Sequence, residues 1–257
     1  MRIAITGASG LVGTALVRLL RAQGHEILAF IRTGGTPPEG CGAVPWDPAS
    51  GKLDPENLRG VDGLVNLAGH NVAGSRWNAG VKALIWNSRV DSTRLLVQAL
   101  RKVSPPPRVM VSASAIGYYG DTGDRPVTEE SPAADTFLAR LCVAWEKEAL
   151  AARELGLRVV IPRIGFVLSA SGGGLARMLP IFGMGLGGQV GLSPIWISWI
   201  SRDDLAALLT WMLTNSEAEG VYNAVAPEPV TNQDFARTLG RVVRRPALFP
   251  VPGIMLK

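Results

Sequence analysis

Cysteine is nearly missing from this chain of 257 residues, which holds only Cys41 and Cys142. Two such residues exclude a disulfide framework, and neither has a neighbour at metal-ligand spacing, so both read as ordinary thiols in a reducing compartment. Histidine is equally scarce: His25 falls at a helix-to-strand turn and His70 in a loop just past Gly69. Neither belongs to a ligand set, and no metal is expected. No apolar run approaches about 18 residues, which argues against a membrane-spanning helix. The net charge of +5 is spread without a Lys/Arg cluster or interleaved aromatics, so nucleic acid is not an expected partner. The balance suits an anionic small molecule instead. The first residues enter a strand with neither a charged leader nor an apolar h-region, so no secretory signal is expected. Together these absences lead us to expect a cytoplasmic protein.

What the chain does contain is apolar material in a regular rhythm. Apolar residues make up 47% and charged ones 18%, enough for a substantial core. Short apolar runs at residues 2–6, 26–31, 61–68, 109–114 and 158–165 read as strands. Stretches at 11–23, 81–102 and 137–155 carry helical spacing, the second as one long helix. A Gly/Pro-rich segment at 33–42 breaks regularity. Alternating strands and helices imply right-handed crossovers and a parallel sheet. The expected fold is therefore α/β, a doubly wound parallel (Rossmann) sheet over residues 1–168, with a small C-terminal substrate lobe over 169–257. That lobe opens with Ser/Gly-rich segments at 169–174 and 183–191, read as substrate loops or lids. It also holds helices at 202–213 and 232–242, the latter with Asn232 as its cap. Trp77, Trp86, Trp196 and Trp199 converge on the sheet's C-terminal edge, either as core packing or as a substrate wall.

The chemistry begins at residue 7. Gly7-Ala8-Ser9-Gly10-Leu11-Val12-Gly13 follows a strand and opens a helix, the context in which a glycine triplet binds a dinucleotide. Gly7 permits the turn, Gly10 lets the backbone approach a pyrophosphate, and Gly13 lets helix and sheet close together. The helix start at Ser9, Leu11 and Val12 presents free N–H groups to phosphate. At the end of the second strand, Ile31 stands where an NAD site usually places an acid, and Arg32 follows it. A guanidinium there forks onto a 2′-phosphate that a carboxylate would repel, so the expected cofactor is NADP.

Several further motifs resemble the extended short-chain dehydrogenase/reductase superfamily. They include Val65-Asn66-Leu67-Ala68-Gly69, Arg76-Trp77-Asn78, Ser88-Arg89, Trp145-Glu146-Lys147, Pro162-Arg163-Ile164-Gly165-Phe166-Val167-Leu168 and Ser198-Trp199-Ile200-Ser201-Arg202-Asp203-Asp204. More narrowly, they resemble its atypical 39U-like epimerase branch, whose bacterial members are labelled sugar-nucleotide epimerases or cell-division inhibitors. The match runs from Met1 to about Pro252. Members of that group continue past the point where this chain stops, so a C-terminal piece is expected to be absent. The resemblance implies that Leu67, Ala68 and Gly69 flank the cofactor's adenosine side, and that Leu84 and Arg89 lie along it, Arg89 as a phosphate partner. It also implies that Asp47 meets the adenine amino group, unless it is a simple turn residue, and that Val167 lies near the nicotinamide.

Ordinary members of the superfamily use a Tyr and a Lys four residues later, the ammonium lowering the phenol's pKa. Counting back from Trp145-Glu146, those positions hold Leu138 and Cys142, and neither does that chemistry. Ser114 matches the hydroxyl position, and Tyr118 a substrate-side tyrosine or a packing aromatic. The acidic run at 121–130 reads as a solvated loop. Two readings remain open. One is an NADP-dependent oxidoreductase or epimerase acting on a small or nucleotide-linked substrate through Ser114 and Tyr118. The other is a catalytically degenerate NADP-binding redox sensor or scaffold. The sequence names no substrate or partner, and a homodimer stays among the candidate assemblies.

Overall fold

The computed structural model describes residues 1–32, 34–189, 191 and 194–248. Thr33 in the first Gly/Pro-rich segment, Val190 in the second glycine run, and the end of the family match past residue 248 lie outside the described residues.

The chain begins with β1 (Arg2–Thr6), α1 (Leu11–Ala22), β2 (Glu26–Ile31), β3 (Gly42–Asp47) and β4 (Lys52–Leu53). Next come β5 (Gly63–Asn66), α2 (Ala79–Asn87), α3 (Val90–Leu100), β6 (Val109–Ser112) and β7 (Ser114–Ala115). They are followed by α4 (Phe137–Leu150), β8 (Arg158–Ile164), β9 (Phe166–Leu168), α5 (Gly173–Gly183) and β10 (Trp196–Ile197). The last elements are β11 (Trp199–Ser201), α6 (Arg202–Thr214), β12 (Gly220–Ala224), β13 (Val230–Thr231) and α7 (Asn232–Val242).

One nine-stranded sheet runs β12-β8-β6-β5-β1-β2-β3-β4, with β7 beside β8, and only the β3–β4 pair is antiparallel. β1 pairs with β2 on one side and β5 on the other, so the chain winds outward from β1 in both directions. That reversal opens a crevice at the strands' C-terminal ends. Both faces of the sheet are covered, which explains runs such as Ile3-Ala4-Ile5 and Val159-Val160-Ile161 that are apolar without alternation. On one face Leu16 and Leu20 of α1 meet Leu205, Leu209 and Met212 of α6. On the other, Leu96 and Leu100 of α3 and Ala149 of α4 close the layer. No helix among the described residues is long and apolar enough to cross a membrane.

The structure departs from the sequence reading in several places. The expected long helix at 81–102 is two helices. Ser88 Oγ and Arg89 Nη1 both donate to the Ile85 carbonyl, at 3.1 and 3.2 Å, and the Arg89 N–H turns to Trp86 O at 3.0 Å. Side chains thus take the carbonyl that the helix needed. Gly42–Asp47, passed over because of its Gly and Pro, is a strand in which only Val44 and Trp46 are buried. Residues after 168 divide between two bodies rather than forming one lobe: β12 extends the main sheet along β8 and α6 packs on α1. The lobe proper has its own small core of Phe182, Ala236 and Leu239. Part of its expected loop is the helix α5, held by Phe182, Leu175, Met178 and Leu179 in that core. The cap of α7 is Thr231, whose hydroxyl accepts from the Asp234 N–H, while Asn232 Oδ1 accepts from Ile195 N. The four tryptophans divide: Trp86 packs against the core cluster of Ile85, Val90 and Trp145, Trp199 is half-buried, and Trp77 and Trp196 are 42% and 47% exposed.

Candidate functional site

A buried polar network fixes the strand ends that frame the crevice. Thr6 Oγ1 donates to Asn66 Oδ1 at 2.7 Å and accepts from the Leu67 and Ala68 N–H groups, both at 3.0 Å. Asn66 Nδ2 donates to Thr93 at 2.8 Å and Ser112 at 3.1 Å, and the Trp145 indole also donates to Thr93. Five elements are thereby locked in register by side chains that bury no unpaired group.

Above this network lies a cleft of about 420 Å³. One wall is the glycine loop, with Gly7, Gly10, Leu11, Val12 and Gly13. A Cβ on Gly13 would stand 2.1 Å from Gly7 O, so only glycine lets the first turn of α1 sit on the loop. No side chain caps α1 and no acid occupies its first turn, which leaves its N–H groups and partial positive charge facing the cleft. Leu67, Gly69 and Arg89 continue the wall. Arg89 lies across Gly69, where a Cβ would come within 2.8 Å of its Cζ. The half-buried guanidinium donates to His70 O at 3.0 Å, lies 5.4 Å from the Trp145 ring, and has no carboxylate partner among the described residues. Burial lowers its pKa, as expected of a cation without a counter-charge.

The opposite wall is Ala113, Ser114, Ala115, Gly117, Leu138, Leu141, Cys142, Trp145 and Ile164. Leu138 and Cys142 therefore face the cleft, one turn apart on α4. Burial raises the Cys142 thiol, whose S–H donates to Ala115 O at 3.6 Å. Ser114 is 2% exposed and its hydroxyl donates to Glu146 Oε1 at 2.6 Å. Glu146 is in turn gripped by Arg163, with Nε on Oε1 and Nη2 on Oε2, both at 2.9 Å. The pair is buried, and Arg163 also donates to the Tyr119 hydroxyl and to Glu129 O. Burial works against the guanidinium's charge, yet the hydrogen bonds to Glu146 and Tyr119 outweigh it and raise its pKa.

The sequence candidates thus divide. Gly7, Gly10, Leu11, Val12, Gly13, Leu67, Gly69, Arg89 and Ser114 come together in the cleft, whereas Ser9, Ile31, Arg32, Asp47, Ala68, Leu84, Val167 and Tyr118 do not line it. Arg32 is exposed at the tip of β2, without an ion-pair partner among the described residues. Asp47 accepts from Ala49 N and Ser50 Oγ, the arrangement of a turn residue, and the Ser50 bond foremost holds its pKa down. Leu84 is 55% exposed. Val167 sits in β9, paired with Ile200 of β11. Tyr118 packs its ring 3.4 Å from the Arg163 guanidinium, as the packing reading expects. The residues that sequence reasoning missed are Glu146 and Arg163. The available signal was a carboxylate on the apolar face of α4 and an arginine inside an otherwise apolar strand, each needing a buried partner.

Fold and cleft together define a dinucleotide-binding protein of the Rossmann class. Comparison with known proteins narrows this: residues 3–225 match the NAD dependent epimerase/dehydratase family, and the chain belongs to it. The epimerase family protein MT2273 of Mycobacterium tuberculosis is 40% identical over 255 residues, covering 99% of this chain and 83% of that one. The human epimerase family protein SDR39U1 is 36% identical over 260 residues, covering 100% and 85%. A crystal structure of that human protein (isoform 2) with NADPH superposes with a TM-score of 0.88, covering 99% of this chain and 84% of that one, at 36% identity. A nucleoside-diphosphate sugar epimerase from Corynebacterium glutamicum, 35% identical, gives 0.80 over 97% of this chain and 53% of that one.

Proposed function

We propose that this protein binds NADP(H) in the cleft and acts as an oxidoreductase whose chemistry does not use a Tyr–Lys couple. The observation that carries the cofactor choice is Arg32, an exposed guanidinium at the tip of β2 for which no carboxylate among the described residues competes. The glycine loop and the uncapped start of α1 would hold the pyrophosphate, and Arg89 would supply a second positive contact. Similarity to a human relative crystallised with NADPH supports the same choice. Bound there, the cofactor supplies a hydride donor or acceptor.

The wall opposite would face the reacting end. Its ionisable member among the described residues is Cys142, whose thiol burial keeps protonated. Ser114 holds its proton toward Glu146, so it presents only lone pairs to the cleft. No group there acts as a general acid or base near neutrality. The same commitment of Ser114 favours, as a second reading, a protein that binds NADPH and reports its redox state without turnover. Calorimetric titration tests the shared part: NADPH should bind at least about tenfold more tightly than NADH, a difference of about 1.4 kcal/mol. Equal affinities overturn the cofactor assignment.

A further inference from the structure

The cleft's mouth carries aromatic surface that neither the core nor the cofactor loop uses. Val72 lines the cleft and is 37% exposed, and its carbonyl accepts from the Trp77 indole at 2.7 Å. Trp77 is itself 42% exposed and meets Phe137 edge-on at 5.6 Å between ring centroids. Phe137 precedes the cleft-lining Leu138 and packs against Trp86 and the Lys82 ammonium. Arg177 of α5 donates to Ala73 O, tying the lobe to this loop. Trp77 is thus a braced, half-open indole beside an interior that offers a ligand no proton.

We propose that the cleft takes a planar conjugated ring that accepts a hydride and draws its proton from water, as quinones and isoalloxazines do. The inference rests on the reading above, which supplies the reduced nicotinamide as hydride donor. One hydride, carrying both electrons, passes to the ring, the nicotinamide is oxidised, and the remaining proton comes from solvent. A ketone or an aldehyde needs that proton delivered as the C–H bond forms, and on this wall the Ser114 proton is held by Glu146 and the Cys142 proton by Ala115 O. A conjugated ring spreads the charge over its own atoms. Trp77, tied at 2.7 Å to the carbonyl of the cleft-lining Val72, offers it a stacking face at the rim, and Val72, Leu138 and Leu141 an apolar bed.

The test uses the full chain with menadione and riboflavin as probes, after NADPH binding has been read from the cofactor's own fluorescence. With NADP⁺ present, each probe should quench tryptophan emission saturably. The quench component lost in Trp77→Phe identifies the site. Trp77→Phe should keep most of the affinity, and Trp77→Ala should lose about tenfold. NADPH oxidation should proceed with menadione or riboflavin, at a rate nearly flat from pH 6 to 9, and not with simple ketones. Quench by only one probe assigns the site to that ring and supports the proposal. Normal NADPH binding without saturable quench, or with quench indifferent to Trp77→Ala, overturns it while leaving the cofactor reading intact. Absence of NADPH binding overturns both.

Discussion

The two walls of the cleft are specified in different currencies. On the glycine-loop side, function lies in backbone: a strand, a turn that admits no Cβ at Gly13, and a helix start left without a cap. On the α4 side it lies in side chains, and those that the helix turns to the cleft include Leu138 and Cys142. The Ser114–Glu146–Arg163 cluster behind that wall is complete and inward-facing, so its polar capacity supports the fold. Binding geometry and reaction chemistry therefore occupy one cleft without being linked. The first can persist on this scaffold while the second changes.

The largest effects should come from breaking the backbone wall. Gly13→Val forces side-chain atoms into Gly7 O and the Ala8 backbone, 2.1 and 2.8 Å from its Cβ, so both thermal stability and NADPH binding should collapse. Gly10→Val separates the two roles, because its Cβ meets only Gly7 O, at 3.2 Å. Its melting temperature should stay close to the parent's while NADPH affinity falls below detection. A Gly10→Val protein that titrates normally with NADPH would place the pyrophosphate elsewhere.

This asymmetry explains what the sequence made legible. Backbone devices leave local signatures, so the glycine triplet of residues 7–13, and the Ile31-Arg32 end of β2, were readable without a structure. The parallel, doubly wound sheet followed from strand and helix alternation. What was missed depends on contacts distant in sequence. Ser114 meets Glu146 from 32 positions away, and Arg163 meets Tyr119 from 44. Asn66, quoted only as part of a motif, proves to tie β5 to β6 and α3. The split at Ser88–Arg89 was hidden for another reason: the apolar spacing runs straight through it, and only side-chain competition for the Ile85 carbonyl ends the helix. The tryptophans stayed open between core and rim because bulk alone does not distinguish the two.

Next in size is the ion pair behind the reaction wall. Glu146→Ala leaves the Arg163 guanidinium buried and uncompensated, which should cost about 3–5 kcal/mol. That corresponds to a fall on the order of 10 °C in melting temperature for a chain of this size. NADPH affinity of the remaining folded protein should move little, since Glu146 does not line the cleft. A variant that melts like the parent but loses NADPH binding would give this pair a role in the cleft that the present geometry denies it.

Arg32→Ala sharpens the comparison from the cofactor side. Losing a charge-assisted contact to the 2′-phosphate should cost about 1.5–3 kcal/mol, roughly one to two decades in NADPH affinity. NADH, which lacks that phosphate, should bind as before. Stability should not change measurably, because Arg32 is exposed and unpaired. Equal losses for both cofactors would mean that Arg32 acts on the loop and not on the phosphate.

The smallest effect belongs to the thiol that stands where a lysine is usual. Cys142 is 3% exposed, and its pKa is raised first by burial, against which its bonds to Ser114 and Ala115 and the nearby Arg89 charge work only in part. Since the thiolate is the nucleophile, iodoacetamide at pH 8 should modify the half-buried Cys41 well before Cys142, although burial raises Cys41 as well. Unfolding in denaturant should make the two react alike. The same shift carries a stability consequence whose sign follows from proton binding. The folded state holds the Cys142 proton above the ordinary thiol value of about 8.5 and the unfolded chain does not, so the contribution is full below that pH. It is lost as pH rises through the folded-state value. Cys142→Ser should therefore flatten the decline in melting temperature between pH 8 and 10, measured against the parent. A native protein whose Cys142 reacts as fast as Cys41 at pH 8 would show instead a thiolate in the cleft, and with it a nucleophile on the wall argued here to have none.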